Sequence, residues 1–112
     1  MEITVRELKN VDVVKVAGRV DSSTSPQLDQ TLKGLVENGR YKLVLDLSGV
    51  GYMSSAGLRA MVSCLREVKK GVRMGDLRLT APSKRVAEVL DLAGLDEVFQ
   101  IFDDLVGAVG SF

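Results

Sequence analysis

Two short stretches concentrate small hydroxyl side chains: Asp21-Ser22-Ser23-Thr24-Ser25 and Tyr52-Met53-Ser54-Ser55-Ala56-Gly57. Each leads into a segment with helical apolar spacing, which places both clusters at helix N-termini. Ser, Thr and Asp are also ordinary N-caps, so either cluster taken alone could do no more than start its helix. A catalytic use of these hydroxyls would need a base. The sequence has no histidine, which excludes a Ser-His-Asp triad, a Cys-His pair and histidine metal sites. A single cysteine, Cys64, can form neither an internal disulfide nor a zinc or iron–sulfur site, and it is expected in or beside the core. Asp21 and Asp46 are the remaining acid/base candidates, and neither has a His, Lys or Cys partner fixed by spacing. As a phosphoacceptor, Asp46 would need an acidic cluster after the first strand, and none is present. Its expected role is to tie the following loop through backbone N–H groups. There is no G-x-x-x-x-G-K-[ST], and Gly49-Val50-Gly51 lacks the third glycine of a dinucleotide fingerprint. The expectation is a binding protein, not an enzyme, with no cofactor and no metal.

The elements that must position these clusters can be traced by periodicity. Residues 2–8 alternate and residues 11–17 are valine-rich, so a hairpin is expected across Lys9-Asn10, with Gly18 ending the second strand. Ser25 as N-cap and Pro26 at the first helical position open a helix carrying Leu28, Leu32, Leu35 and Val36, stopped at Gly39. LVLDL (43–47) suits a central strand buried on both faces. SGVGYMSSAG (48–57) reads as a turn-rich loop. Leu58, Met61, Val62, Leu65 and Val68 form the next helical stripe. A strand follows near Leu77 to Thr80, then a helix opened by Pro82-Ser83 and stopped at Gly94. A short strand is expected over 98–101, and a terminal helix over 103–109 that packs Leu105, Val106 and Val109. The order β-β-α-β-α-β-α-(β)-α predicts a mixed α/β fold within one domain, 1–112. Its sheet is mostly parallel and four- to five-stranded, with an N-terminal antiparallel hairpin and about four helices. In such a sheet the loops at the carboxyl ends of the strands form the working edge, and both hydroxyl clusters belong to it.

Composition supports a globular chain. Of 112 residues, 46% are hydrophobic and 27% charged. No apolar run approaches the roughly 18 residues of a membrane span, and MEITVRELK has no secretory apolar segment. No membrane association and a cytoplasmic location are expected. Zero net charge with two Tyr, three Phe and no Trp argues against direct nucleic-acid binding. The zero hides a polarity: all fifteen Lys and Arg lie in residues 1–85, whereas 86–112 carry six acids and no base. That is either a solvated acidic face or a surface that docks a partner by charge.

LVLDLSGVGYMSSAGLRAMV (43–62) resembles the signature segment of the STAS domain of bacterial anti-sigma factor antagonists. The resemblance extends to Gly18-Arg19-Val20-Asp21 with Ser25-Pro26 and Leu28, and to Ala93-Gly94-Leu95. It implies a phosphorylation-controlled binding switch. The unphosphorylated antagonist binds an anti-sigma factor that is also a serine kinase. Phosphorylation of a serine at the loop-to-helix junction breaks that complex, and a serine phosphatase resets it. Carried over by motif, the phosphorylated residue is Ser55, followed by Ala56, Gly57 and Leu58. Ser54 stands where the family usually has Asp, so the helix cap is kept and a negative charge is lost. The expected partner surface comprises Asp21, Ser22, Ser23, Thr24, Ser54, Ala56, Gly57 and Leu58. Ser54 is the expected N-cap, bonded to the N–H groups of Ala56 and Gly57. An alternative from another class is a STAS-type or receiver-like domain that senses a ligand or nucleotide, or that scaffolds an assembly.

Overall fold

The opening alternation forms the expected hairpin. In the computed structural model, which describes residues Met1–Phe112, β1 (Glu2–Glu7) pairs antiparallel with β2 (Asp12–Val20), from Glu2 opposite Ala17 to Glu7 opposite Asp12. The turn is closed by Leu8 N–H donating to Val11 O at 2.9 Å. β2 does not stop at Gly18. It runs on to Val20 through two register shifts, and Gly18 takes φ +104°, a conformation that glycine alone adopts readily.

The longest strand departs most from expectation. β3 spans Lys42–Met53, so Ser48–Met53 continues the strand instead of forming a loop. Gly49 and Gly51 are turn residues only where no neighbour offers hydrogen bonds. Here the extended end of β2 does so, pairing Gly18 with Val50, Arg19 with Tyr52 and Val20 with Met53. β3 is buried on both faces over residues 43–47, as the apolar run predicts.

α1 (Ser25–Glu37), α2 (Ser55–Val68), β4 (Asp76–Thr80) and α3 (Lys84–Leu92) follow, with α3 opening at Pro82-Ser83 as expected and Ser83 as its N-cap. β5 is shorter and later than expected, Ile101–Phe102, because a 3-10 turn at Leu95–Glu97 occupies the chain before it. α4 (Leu105–Gly110) closes the chain. The sheet order is β1-β2-β3-β4-β5, with only the β1–β2 pair antiparallel.

α1, α2 and α3 cover one face. Their Leu28, Leu32, Met61, Leu65, Val86 and Leu90 interlock with Leu43, Leu45, Leu47, Leu77 and Leu79 in the main core. Each fully buried leucine contributes about 1.5–3 kcal/mol relative to exposure. α4 covers part of the other face, placing Ala108 against Val11, Val13 and Val44. The expected packing of Val106 is wrong: it is 83% exposed. Asp104 caps α4 through Gly107 N–H, and that start turns positions 105, 108 and 109 to the sheet and 106 to solvent.

Two aspartates anchor the end of the sheet where its parallel strands begin. Asp12 is fully buried and takes two bonds from Arg40, from Nε at 2.5 Å and from Nη2 at 3.0 Å. That carboxylate holds the Arg40 guanidinium above its usual range. Asp76 accepts from Arg78 Nε at 2.9 Å and from Gln100 Nε2 at 3.5 Å, and it lies 3.8 Å from Lys69 Nζ. Removing a partner from a buried pair leaves an uncompensated charge. Arg40→Ala is therefore expected to cost about 3 kcal/mol. A melting-temperature loss of roughly 10 °C or more would register it. Thermal melts of Arg40→Ala and Arg40→Lys check this, with Lys recovering part of the loss.

Candidate functional site

The two hydroxyl clusters meet. Val20 and Met53 end adjacent paired strands, and Ser54 N–H donates to Val20 O at 2.9 Å, which fixes the start of α2 beside the turn after β2.

That turn is built on Asp21. Its Oδ1 accepts from Ser23 N–H at 2.9 Å, Ser23 Oγ at 2.7 Å and Thr24 N–H at 3.1 Å. Thr24 Oγ1 donates to Arg19 O at 2.9 Å and accepts from Asp21 N–H at 2.9 Å. The Ser23 hydroxyl, helped by the two backbone N–H groups, lowers the Asp21 carboxyl pKa from 3.8 to about 2. This arrangement corrects the expected helix start. Thr24, not Ser25, is the N-cap of α1, without a side-chain cap bond, and Ser25 is buried. The Asp21 turn has already wound the chain: Ser25 N–H reaches Asp21 O at 2.8 Å and Gln27 N–H reaches Thr24 O at 3.0 Å. Ser22 and Ser23 stay exposed on the crest of the turn.

At the second cluster Ser54 is the N-cap of α2, in extended conformation, and its Oγ accepts from Gly57 N–H at 3.4 Å. Of the two expected cap bonds, only the one to Gly57 forms. Ser55 is the first helical residue and is exposed. Ala56 is half-buried. Gly57 is buried, and a Cβ there would lie 2.7 Å from Val20 Cγ1 and overlap Met53 Sδ. Its role is close packing of α2 on the strand ends. Leu58 is half-buried against the main core.

Sequence reasoning did not single out Arg19 as a site residue. Its guanidinium lies 3.8 Å from the Tyr52 ring centroid, and its Nε is 3.2 Å from Asp21 Oδ2, so one side chain ties the two clusters together. The pairing of Arg19 with Tyr52 across β2 and β3 is the cause, and it required the long strands to be known. Also missed was a shallow groove of about 390 Å³ between α1 and α2, running from Ser25 and Ala56 past Arg59 to Ser63. Asp46 takes the expected tethering role, accepting from Ser48 N–H at 3.0 Å. Burial pushes the Cys64 thiol up to about 12, and the Asp29 and Glu67 carboxylates add to the effect, which makes it an unreactive core residue.

Set beside known proteins, residues 2–108 match the family model described as STAS domain. The chain is similar to the anti-sigma-B factor antagonist of Bacillus subtilis, 32% identical over 97% of each chain. It is similar to the anti-sigma-F factor antagonist RsfB of Mycobacterium tuberculosis, 27% identical over 96% of this chain and 85% of that one. Among solved structures it resembles an anti-sigma factor antagonist from Mycobacterium paratuberculosis. That match has a TM-score of 0.86 and 27% identity, and it covers 98% of this chain and 92% of the other. No helix is long and apolar enough to cross a membrane.

Two predictions test the local geometry. A carboxyl pKa lowered in the folded state stabilises the fold above the unfolded value and stops doing so as pH falls through the folded one. An NMR titration of the Asp21 side chain should give a midpoint near 2, and Ser23→Ala should move it back toward 3.8. The stability gap between the parent and Asp21→Ala should be full at pH 7 and shrink between about pH 4 and pH 2. For the second cap, Ser54→Ala should cost roughly 1 kcal/mol, while Ser54→Asp should be close to neutral because Asp caps equally well. Chemical denaturation of both variants measures this.

Proposed function

The chain belongs to the STAS domain family, and from that premise we propose that it is an anti-sigma factor antagonist switched by phosphorylation of Ser55. The observation that carries the reading is the difference between two adjacent hydroxyls. Ser54 is turned back onto Gly57 N–H, whereas Ser55 stands exposed at the first position of a 14-residue helix. Ser55 is therefore the more accessible of the two to a kinase active site. The names of the relatives supply the class of partner, an anti-sigma factor.

In this reading the unmodified edge, formed by Ser22 and Ser23 on the Asp21 turn and by Ser55 and Ala56 at the start of α2, docks on the anti-sigma factor. The α1–α2 groove continues that surface. The anti-sigma factor, acting as a serine kinase, transfers the terminal phosphoryl group of ATP to Ser55 Oγ. The phosphate adds about −1.5 to −2 charges and three acceptor oxygens. Within the antagonist that charge is tolerated, because it sits at a helix N-terminus with Arg59 one turn along. The penalty falls on the interface, where an unpaired charge is desolvated. Removal by a serine phosphatase restores binding. Ser54 in place of an aspartate leaves the site less acidic, which bears on how such a kinase and phosphatase handle it.

The test is intact-mass analysis with phosphosite mapping after incubation with ATP and an anti-sigma kinase of the same organism. A gain of one phosphate on Ser55, absent from Ser55→Ala, is expected. Ser55→Ala should bind the kinase like the parent, and Ser55→Glu should bind about 2–5 kcal/mol more weakly. Labelling of Ser54, or equal binding of Ser55→Glu, overturns the switch. Thermal stabilisation by a nucleotide alone points instead to a ligand-sensing domain.

A further inference from the structure

We propose that Arg59 is the intramolecular counter-ion of phosphorylated Ser55, uncommitted until the phosphate arrives and engaged by it afterwards. This rests on the reading that Ser55 is the modified residue. Ser55 is the first residue of α2, and Arg59 lies four residues along the same helix. Residues at that spacing stand one above the other, about 5–6 Å apart at Cβ. Helix side chains also lean toward the N-terminus, so a long side chain at position 59 lies back over the turn that begins at Ser55. An anion preceding a cation by four residues is the favoured order of such a pair. The first turn is regular, with Leu58 N–H reaching Ser54 O at 3.1 Å.

Nothing inside the chain claims the Arg59 guanidinium. It takes part in none of the seven ion pairs and none of the three cation–aromatic stacks. Ser55 and Arg59 are both exposed. The other guanidinium of this edge, Arg19, is spent on the Tyr52 ring at 3.8 Å and on Asp21 at 3.2 Å. Arg59 lines the groove between α1 and α2, and Asp29, the one acid lining it, is held by Lys33 Nζ at 2.8 Å. Position 54 carries serine, so no carboxylate adjoins Ser55 in the chain to compete for the guanidinium.

A phosphoserine offers three acceptor oxygens, and a guanidinium presents its N–H donors in a planar fork that matches two of them. The helix N-terminus by itself favours the same negative charge without fixing where it points. Arg59 adds the direction: it draws the phosphate along α2, toward the mouth of the α1–α2 groove. Modification then alters the docking edge twice. It adds an anion at position 55 and withdraws the free cation at position 59.

The test uses the full chain with phosphoserine placed at position 55 during synthesis. No kinase is then required, and the result is separate from the question of which enzyme modifies Ser55. Phosphorus NMR follows the second ionisation of the phosphate, which lies near about 6 in a free phosphoserine. The charged groups on the elements around it are Arg59 on α2, Asp29 and Lys33 on α1, and Asp21 and Arg19 on the turn after β2. Of these, Arg59 alone is unpaired. The midpoint in Arg59→Gln should lie about 0.3–0.7 unit above the parent's. Arg59→Lys keeps the charge without the fork and should fall between the two. The gap should narrow in about 1 M salt, where the screening length is about 3 Å. Arg59 is exposed, so thermal melts of the three chains should coincide. Equal midpoints in the parent and Arg59→Gln overturn the proposal. Unmodified Arg59→Gln should also bind an anti-sigma kinase at least about threefold more weakly than the unmodified parent. Equal binding overturns the withdrawal of a cation from the edge. A kinase that binds neither chain counts against the reading of function, while the titration still decides the counter-ion.

Discussion

The parallel ladder between β2 and β3 runs past its own glycines to Val20 and Met53, and the working edge depends on that extension. Had β3 ended after Leu47, Ser54 would lie on a free loop. Instead Ser54 N–H is bonded to Val20 O, and Gly57 lets α2 descend onto Val20 and Met53 without a Cβ in the way. Two hydroxyl clusters some thirty residues apart in sequence become one surface because two strand ends share hydrogen bonds. The glycines of β2 and β3 make this possible by absorbing the register shifts.

Carboxylates do the anchoring at both ends of the sheet, in different ways. Asp12 is buried and answered by one guanidinium. Asp76 gathers Arg78, Lys69 and Gln100 around the start of β4. Asp21 is held mainly by hydroxyl and backbone N–H donors, and this keeps its charge at low pH. A carboxylate so occupied shapes the turn: the Ser23 and Thr24 hydroxyls are spent on it, and Ser22 is left exposed at its crest. In the proposed reading, recognition at this edge rests on small polar groups over a rigid base, a surface on which one added phosphate would be a large change.

The molecule has two ends with different physics. One is uncharged at its crest and built from Ser, Ala and Gly. The other carries the exposed aliphatic side chains of Val72, Met74 and Leu92, with Lys69, Lys70 and Arg73 paired to Asp76 and Glu67 beside them. The core between them is continuous, with Leu45 and Leu79 in contact with helices that reach both ends.

Much of this was legible in residue order alone. Alternation and apolar spacing placed the hairpin, the three long helices and the buried central strand, because side-chain burial follows the local repeat of strand and helix. Ser54 as cap with Ser55 free beyond it was readable from the distance to Leu58. What the order of residues did not reveal came from partners distant in the chain. Gly49 and Gly51 look like turn residues until β2 offers its hydrogen bonds. Ser25 looks like a cap until the Asp21 turn winds the chain one residue earlier, binding Ser25 N–H to Asp21 O and leaving Thr24 as the N-cap. Val106 looks like a core residue until Asp104 fixes the phase of α4. Arg19 stacks on Tyr52 only because of a register that tertiary pairing sets. Periodicity is local and needs no partner, whereas register, helix phase and the meeting of two loops are decided by which backbone groups across the fold satisfy one another.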